Sequence, residues 1–254
     1  MIGFVGAGNM ARAIARGLGE PVYATDAGSG RAKALVAELG GEVMPSNAEL
    51  FRRSDTIFLG HRPDQLAEVA AGTDATGKMV ISMMGPTTIA QLQEAYPGAS
   101  VVRTMPNTPV EVRRGVVAVA AGGEAAVGLL SRLGKVVVLP ERQMDLATAT
   151  AGIMPACIAV LAEAAIDAAV CHGLDLKSAT DMFLETMAGT AELLIKRGGD
   201  TLAVRREVGT PGESTVRGVA ALERNNVRTA FMDAYRDVLT RLSRPYLGGP
   251  VVLD

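Results

Sequence analysis

Short runs of β-branched and other apolar residues alternate with longer segments of mixed polarity over the first half of the chain. The apolar runs predict strands, and the segments between them have the length of crossover helices. Strands are predicted at residues 2–5, 22–25, 56–59, 79–82, 101–103, 116–119 and 136–139. Helices are predicted at residues 11–18, 31–39, 64–71 and 88–96. This alternation is typical of parallel strands covered by helices, so it predicts a doubly wound sheet of the Rossmann type.

The second half of the chain has a different pattern. After about Asp145 the β-branched runs give way to long segments rich in Ala, Leu and Met. These segments predict helices at residues 145–172, 176–197, 214–222 and 227–242. Pro155 lies inside the first of them, so we expect a kink or break there, with the preceding residue outside helical geometry. The predicted fold class is α/β, with a Rossmann-type domain at residues 1–145 and an all-helical domain at residues 146–254.

Several of the predicted helices are apolar on more than one face. Between Ile158 and Ala169, apolar side chains surround only two acids, Glu163 and Asp167. Helices of this kind are buried, and the cover available to so small a domain is a second copy of the chain. We therefore expect a homo-oligomer, at least a homodimer, that assembles through the C-terminal helices. The two acids also argue against a membrane span in this stretch.

Composition and charge narrow the kind of partner. The 254 residues carry a net charge of -2, so the chain lacks the basic surface that nucleic acid and anionic membranes attract. A small-molecule substrate is the expected partner. Cys157 and Cys171 are too few for a disulfide framework, and no histidine spacing near them suits a metal. We therefore expect no metal site and a reduced compartment. Since no apolar leader precedes Met1, we also expect a cytoplasmic location.

A glycine-rich turn follows the first predicted strand and opens the first predicted helix. It has the form Gly-x-Gly-x-x-Ala and runs from Gly6 to Ala11. Gly6 permits the tight turn, Gly8 lets the backbone approach a pyrophosphate, and Ala11 allows close packing of helix on strand. The N–H groups at the helix start then face the anion. This context predicts a dinucleotide site that includes Gly6, Ala7, Gly8, Asn9 and Met10.

The end of the second predicted strand carries the residues that distinguish NAD from NADP. Asp26 lies about twenty residues beyond Gly6, where an acid favours the free ribose hydroxyl of NAD. Ser29 and Arg31 follow in the next loop, and their hydroxyl and guanidinium suit the 2′-phosphate of NADP. The sequence supports both readings, so the predicted cofactor is NADP or NAD.

Three further segments carry a resemblance to a known family. The first is Arg103-Thr-Met-Pro-Asn-Thr-Pro109, whose Met-Pro-Asn-Thr-Pro string follows a predicted strand. The second is Val208-Gly-Thr-Pro-Gly-Glu-Ser-Thr215, which is similar to a Thr-Ser-Pro-Gly-Gly-Thr-Thr loop and helix start. The third is Gly60-His61-Arg62-Pro63, which stands where that family has Val-Lys-Pro. Together with the glycine turn, these segments resemble pyrroline-5-carboxylate reductase over nearly the whole chain.

The resemblance implies that hydride passes from NADPH or NADH to a cyclic imine acid, giving proline from 1-pyrroline-5-carboxylate. It implies that Thr215 hydrogen-bonds the ring nitrogen and acts as the catalytic residue. The substrate carboxylate would lie on the loop and helix start formed by Thr210, Pro211, Gly212, Glu213, Ser214 and Thr215. On the cofactor side it implies roles for His61, Arg62, Pro63 and Asn107. It also implies dimers intertwined through the helical domain, assembled into a larger ring of dimers.

Several residues depart from the family pattern. Glu213 replaces the second glycine of the Pro-Gly-Gly turn, where its carboxylate either repels the usual substrate or points to solvent as a first-turn acid. The family's Gly-Ser-Gly-Pro-Ala-Tyr segment is here the bulkier Gly152-Ile-Met-Pro-Ala-Cys157. Pro86 and Arg62 replace the usual Gly and Lys near the cofactor. A paralogue that reduces another imine is therefore one alternative.

Two other readings stay open. A related hydroxyacid dehydrogenase would carry a lysine followed four residues later by asparagine, whereas Lys177 and Lys196 are each followed at that distance by aspartate. The second is a dinucleotide-binding regulatory protein that has lost turnover, for which Glu213 and Met154 would be signs. A deazaflavin-dependent reductase would also begin with a glycine turn, but the long helical second half argues against it.

Overall fold

Eight strands form one sheet. They are β1 (Ile2–Val5), β2 (Val22–Thr25), β3 (Gly41–Val43), β4 (Thr56–Leu59), β5 (Met79–Ser82), β6 (Ser100–Pro106), β7 (Gly115–Ala120) and β8 (Gly134–Leu139). The computed structural model describes residues 1–210 and 213–243. The strand order is β3-β2-β1-β4-β5-β6-β7-β8, and all neighbours are parallel except β6 and β7. The predicted doubly wound sheet is confirmed, with an antiparallel step near one edge.

The antiparallel step has a simple cause in the length of the connection. Only residues 107–114 separate β6 from β7, and they include a short 3-10 turn at Thr108–Val112. A parallel crossover needs a dozen or more residues. The chain therefore turns back, and β7 pairs with β6 so that Met105 lies opposite Ala118.

Helices cover the sheet and continue into the second half of the chain. In the first half they are α1 (Asn9–Leu18), α2 (Arg31–Leu39), α3 (Asn47–Arg53), α4 (Leu66–Ala70), α5 (Ile89–Ala95), α6 (Val127–Leu130) and α7 (Met144–Ala147). In the second half they are α8 (Met154–Cys171), α9 (Leu176–Lys196), α10 (Thr201–Val208), α11 (Ser214–Arg224) and α12 (Val227–Leu242). Further 3-10 turns lie at Pro63–Gln65, Glu124–Ala126, Ser131–Leu133 and Glu141–Gln143, and a π-helical turn lies at Thr148–Gly152.

The core of the sheet lies on both of its faces. On one face Phe4 of β1 stacks on Phe58 of β4, with ring centroids 5.0 Å apart. On the other, Phe51 of α3 stacks on Tyr96 at 5.5 Å. These side chains are almost fully buried. The parallel strands thus bury apolar residues on both sides, which explains their continuous rather than alternating apolar pattern.

The transition into the second half is a break of a particular kind. Thr148–Gly152 forms a single π-helical turn, and α8 begins after it at Met154. The chain is interrupted at Ile153, before the proline, whereas α8 runs through Pro155 and Met154 is helical, contrary to the prediction. Proline is tolerated in the first turn of a helix, where its missing N–H has no intrahelical partner. The backbone adjusts before Met154 instead.

Contacts divide the chain into two compact units. The first comprises Met1–Pro155 together with the described residues 238–243, and the second comprises Ala156–Asp237. The stretch Glu141–Cys171 is long and apolar enough to pass a membrane-span test on length and composition alone. Length and composition do not by themselves indicate a membrane span, since a helix covered by protein has the same properties. In the described part of the second unit, only Ala162 and Ala179 are buried apolar residues.

Candidate functional site

A cleft of about 780 Å³ lies where the first strands end. It is lined by Val5, Gly6, Ala7, Gly8, Thr25, Asp26, Ala27, Ser29, Arg31, Asn47, Gly60, His61, Arg62, Pro63, Gln65, Glu68, Val69, Met83, Met84, Gly85 and Pro86. Backbone hydrogen bonds extend the parallel ladder just past the strand ends, from Gly6 N to Thr25 O and from Gly60 N to Val5 O. The carboxyl ends of β1, β2, β4 and β5 therefore meet at one edge, where doubly wound sheets bind their ligands.

The glycine turn forms the floor of this cleft. Gly6 has a φ of 88°, which L residues with a side chain rarely adopt. A Cβ added at Gly6 would also lie 2.9 Å from the carbonyl oxygen of Gly60. Both the conformation and the close approach of the two backbones therefore require glycine, as the motif predicts.

The start of α1 faces the cleft without a side-chain cap. Its N-cap is Gly8, which has extended geometry and supplies no side-chain acceptor for the first-turn N–H groups. Those groups and the helix dipole are suited to an anion. Asn9 and Met10 belong to this first turn but do not line the cleft. The side-chain oxygen of Asn9 instead accepts a 2.7 Å hydrogen bond from Arg12 Nη2.

The carboxylate of Asp26 is used to build the loop after β2. Its oxygens accept hydrogen bonds from Gly28 N at 2.9 Å, Ser29 Oγ at 2.9 Å and Ala32 N at 2.8 Å. These donors, the Ala32 amide first, hold the pKa of Asp26 below its usual value because they favour the charged form. Asp26 thus fixes the turn and the start of α2.

Arg31 follows this loop as the first residue of α2, and its charge is available. The side chain is exposed and lines the cleft. Its guanidinium forms no hydrogen bond or ion pair with any residue in the described ranges 1–210 and 213–243. Ser29, by contrast, is held by Asp26. Among the described residues, this end of the cleft therefore offers an unpaired guanidinium beside an ordered polar turn.

His61 lies on the loop after β4. Its Nδ1 donates to the carbonyl oxygen of Arg62 at 2.9 Å, while the buried Nε2 has no partner in the described part of the chain. Burial lowers the pKa of the His61 imidazole, because the charged form would lose its hydration. Arg62 pairs with Asp64 at 2.7 Å, and Pro63 follows at the cleft wall. These three predicted residues are brought beside the glycine turn.

Sequence reasoning missed much of one wall of the cleft. Met83, Met84 and Gly85 follow β5 and line the cleft together with Pro86. The available signal was positional, because residues after the carboxyl end of a central parallel strand lie at the ligand edge. No polar motif marks this segment, and of its residues only Pro86 departs from the family pattern.

Asn107 is placed differently from the other predicted cofactor residues. It is buried and does not line the cleft. Its Nδ2 donates to Ala151 O at 3.2 Å, and its Oδ1 accepts from Val116 N at 2.8 Å. The amide therefore connects the end of β6 to β7 and to the π-helical turn.

The described residues of the predicted substrate loop, 210 and 213–215, belong to the second compact unit. Pro211 and Gly212 lie outside the described residues. Glu213 caps α11 by position but makes no side-chain capping bond, and its N–H donates to Thr210 O at 3.2 Å. Glu213 and Ser214 are exposed, and Thr215 is partly buried. The first turn of α11 thus has uncapped N–H groups next to an exposed carboxylate.

Within residues 1–210 and 213–243, no group of three His, Cys, Asp or Glu side chains converges in a way that suits a metal ion. The polar chemistry of the cleft is instead that of anion binding. The glycine cradle, the uncapped start of α1 and the available Arg31 fit the phosphates of a dinucleotide.

Comparison with known proteins gives matches at both ends of the chain. Residues 141–244 match the family described as "Pyrroline-5-carboxylate reductase dimerisation". Residues 1–86 match the family described as "NADP oxidoreductase coenzyme F420-dependent". The second half of the chain is thus similar to a module described by its role in dimerisation, and the first to a module of NADP oxidoreductases.

Relatives align with almost the full length of the chain. A pyrroline-5-carboxylate reductase of Synechocystis sp. is 32% identical, over 94% of this chain and 96% of the relative. One of Methanosarcina acetivorans is also 32% identical, over 92% and 93%. The structure of Plasmodium falciparum pyrroline carboxylate reductase with NADP bound has a TM-score of 0.84 and 26% identity, over 95% and 96%. The chain belongs to the pyrroline-5-carboxylate reductase family.

Proposed function

We propose that this protein reduces the cyclic imine acid 1-pyrroline-5-carboxylate to proline with NADPH or NADH. The observation that carries the proposal is the dinucleotide cleft, built on the glycine turn of a chain that aligns end to end with named pyrroline-5-carboxylate reductases. An NAD(P)H-dependent oxidoreductase of this family accounts for both the dinucleotide cleft and the full-length alignment.

The residues of the cleft have distinct tasks in holding the cofactor. Gly6, Ala7 and Gly8 let the backbone approach the pyrophosphate, whose charge the uncapped start of α1 favours. Asn9 and Met10 belong to this first turn. The bound nicotinamide supplies the hydride. Met83 and Met84 form an apolar part of the cleft wall after β5, which would keep water away from a reactive imine.

Within this reading we favour NADP over NAD. Asp26 already accepts hydrogen bonds from Gly28, Ser29 and Ala32, so it is a poor partner for a ribose hydroxyl. Arg31 has an available guanidinium at the same end of the cleft, and such a group suits a phosphate dianion. The local chemistry therefore favours a 2′-phosphate.

For the substrate we keep the residues that the family resemblance implies. Thr210, Pro211, Gly212, Glu213 and Ser214 would receive the carboxylate, and Thr215 would hydrogen-bond the ring nitrogen. The uncapped first turn of α11 supports this assignment because its N–H groups suit a carboxylate. The imine takes up a proton readily, so the reaction mainly requires positioning and exclusion of water.

Glu213 supports a second candidate within the same chemistry. Its exposed carboxylate lies at the start of α11, where a second negative charge would oppose an incoming carboxylate. A related imine that carries a compensating positive group, or lacks the acid, would avoid this repulsion. The paralogue reading therefore stands beside the proline reading and is separated from it by experiment.

The family match to a dimerisation module supports a homodimer. We extend this to a larger ring of dimers, which is what the family resemblance implies. We also place the protein in the cytoplasm, where dinucleotide-dependent biosynthesis and two free cysteines are both compatible.

The test is the loss of NADPH or NADH absorbance on mixing the protein with 1-pyrroline-5-carboxylate, repeated with the Glu213→Gly variant. Turnover by the unmodified protein supports the proline reading, and the preferred cofactor decides between NADP and NAD. Turnover only after Glu213→Gly indicates a paralogue with a different imine. Dinucleotide binding without turnover of any cyclic imine by either protein would contradict the enzymatic reading and leave a binding protein.

A further inference from the structure

Arg103 is a buried arginine of β6 that the proposed reaction does not use. Only 6% of its side chain is exposed. It does not line the cleft, yet its Nη2 donates a 2.6 Å hydrogen bond to the carbonyl oxygen of Gly85, which does. This short, charge-assisted contact connects a core residue directly to the wall of the dinucleotide cleft.

The wall that Arg103 contacts is held by several hydrogen bonds. Ser82 O accepts from Thr104 Oγ1 at 2.8 Å, and Ser82 Oγ accepts from Met84 N at 3.2 Å. Met84 O in turn accepts from Thr87 N at 3.1 Å. Gly85 lies between these anchored positions, and the residue after it is Pro86, which has no N–H. The Arg103 bond therefore holds the part of this wall that the other bonds leave out.

The other side of the guanidinium is fixed by acids from the start of the dimerisation module. Nη1 donates to Glu141 Oε1 at 3.1 Å, and Nη2 is 3.5 Å from Asp145 Oδ1. Glu141 Oε1 also accepts from Ile89 N, the first residue of α5, at 2.7 Å. Arg103 thus joins the cleft wall, α5 and residues 141–145 in one network.

This network is a poor source of stability for the fold. The Nε of Arg103 is buried and has no partner within the described residues. A buried charge with one unsatisfied N–H recovers less of its desolvation penalty than a fully bonded one. The role of Arg103 is therefore to hold Gly85 in place rather than to stabilise the fold.

The position of Gly85 indicates which half of the dinucleotide it serves. A doubly wound sheet consists of two mononucleotide-binding halves that meet beside β1. The loop of Asp26 and Arg31 follows β2 on one side of β1, whereas Gly85 and Pro86 follow β5, on the other side beyond β4. Arg103 therefore acts on the half that lies opposite the adenosine loop.

We infer that Arg103 is a positioning residue for the nicotinamide half of the cofactor. It holds the Gly85–Pro86 wall against residues 141–145, and it touches neither cofactor nor substrate itself. This rests on the proposed function in so far as the cleft binds a nicotinamide dinucleotide.

The test compares the whole dinucleotide with its adenosine fragment. Dissociation constants are measured by calorimetry for NADPH and for adenosine 2′,5′-bisphosphate, or for NADH and ADP if the unmodified protein prefers NADH. The Arg103→Met variant is expected to bind the whole dinucleotide about tenfold more weakly and the fragment within about twofold of the unmodified protein. A merely structural role would weaken both ligands alike or neither.

The matched control is Arg132→Met. Arg132 has the same pattern of bonds, with Nη2 donating to the carbonyl oxygen of Leu18 at 2.9 Å and Nη1 pairing with Glu20 at 3.1 Å. It lies in the 3-10 turn at Ser131–Leu133, where it contacts the C-terminal end of α1, and it does not line the cleft. We expect Arg132→Met to leave both dissociation constants unchanged.

Arg103→Lys guards against a variant that fails to fold. Lysine keeps the charge but cannot reproduce the fork that bonds Gly85 and Glu141 together, so about a threefold loss for the dinucleotide alone is expected. Equal binding of both ligands by a folded Arg103 variant and the unmodified protein overturns the inference and leaves the proposed function intact. Absence of dinucleotide binding by the unmodified protein overturns both.

Discussion

The two compact units differ in how they bury apolar surface. Within the described residues, every buried apolar side chain larger than alanine belongs to the first unit, including Phe4, Phe58 and Leu92 at 0% exposure. The second unit, Ala156–Asp237, exposes Val160 at 63% and Ile195 at 74%. The first unit therefore has its own core, whereas the described part of the second has apolar helices whose side chains stay exposed.

The difference shows that one chain uses hydrophobic burial for two purposes. In the first unit, burial defines the sheet and with it the cleft, whose lining residues all lie between Val5 and Pro86. In the second, the exposed apolar faces coincide with the segment matched to a dimerisation module. We therefore expect the folding of that segment to be coupled to assembly and its apparent stability to depend on protein concentration.

Phe58→Ala is the change that most strongly tests the independence of the first core. Phe58 is fully buried and stacks on Phe4, so removing the ring leaves a cavity. We expect the free energy of unfolding to fall by about 3–5 kcal/mol, measured by urea denaturation at fixed protein concentration. Val138→Ala on the exposed face of β8 is the control and is expected to change little. A comparably small loss for Phe58→Ala would show that the sheet is not held by this core.

Val160→Asp tests the other side of the comparison. A carboxylate on this exposed position of α8 would be buried unpaired against the partner copy. We expect the dissociation constant of the dimer to rise about a hundredfold or more, measured by sedimentation at micromolar concentrations. Glu163→Gln, on the same helix, serves as the control and should remain dimeric.

The monomer produced by Val160→Asp sharpens the comparison further. Because the cleft is formed within the first unit, this variant should bind NADPH nearly as well as the dimer while losing turnover. A Val160→Asp protein that stays dimeric would place the interface on another face. One that loses dinucleotide binding as well would show that the first unit depends on assembly.

The sheet was predictable because its signal is local. The predicted strands at residues 2–5, 22–25, 56–59 and 79–82 have the bounds of β1, β2, β4 and β5. β3 was missed since Gly41–Val43 is short and exposed, which leaves no apolar run. α3 was missed although Ser46 and Glu49 form the start of a capping signal, and Ser46 Oγ does accept from Glu49 N at 3.1 Å.

The site was predictable only where a local motif marks it. The glycine turn and the loop of Asp26 and Arg31 were found because spacing after a strand carries that information. The structural role of the Asn107 amide was not predictable, because its hydrogen-bond partner Ala151 lies 44 residues further along the chain. The hydrogen bonds of Arg103 were not predictable for the same reason, because its partner Glu141 is 38 residues away.

Arg31→Ala tests whether cofactor choice belongs to the first unit alone. Removing the available guanidinium should weaken NADPH binding about tenfold while leaving NADH nearly unchanged, measured as dissociation constants for both. The dimer should persist, since Arg31 lies in the first unit. The control is Arg52→Ala, whose guanidinium pairs with Glu49 and does not line the cleft. Equal losses for NADPH and NADH would contradict a role for Arg31 at the 2′-phosphate.

Asp26→Asn should give the smallest effect and the most specific pH dependence. Because the pKa of Asp26 is held below its usual value in the folded protein, its stabilising contribution is fully present above the ordinary aspartate pKa of about 4. That contribution is lost as the pH falls through the lowered pKa. The variant should therefore lose under about 1 kcal/mol near neutral pH, since water screens this partly exposed group, and approach the unmodified protein in acid.

Asp74→Asn is the control for Asp26→Asn, because it removes the carboxylate of a similar turn that lies away from the cleft. The Asp74 carboxylate also accepts a backbone bond, from Thr76 N at 2.9 Å, and its pKa is likewise lowered, but it lies outside the cleft. Both variants should show the same sign of pH dependence in urea denaturation. Only Asp26→Asn should also alter the preference for NADPH over NADH, because only its loop positions Arg31. If both variants leave that preference unchanged, Asp26 stabilises α2 without organising the cofactor end, and the selectivity must then depend on Arg31 alone.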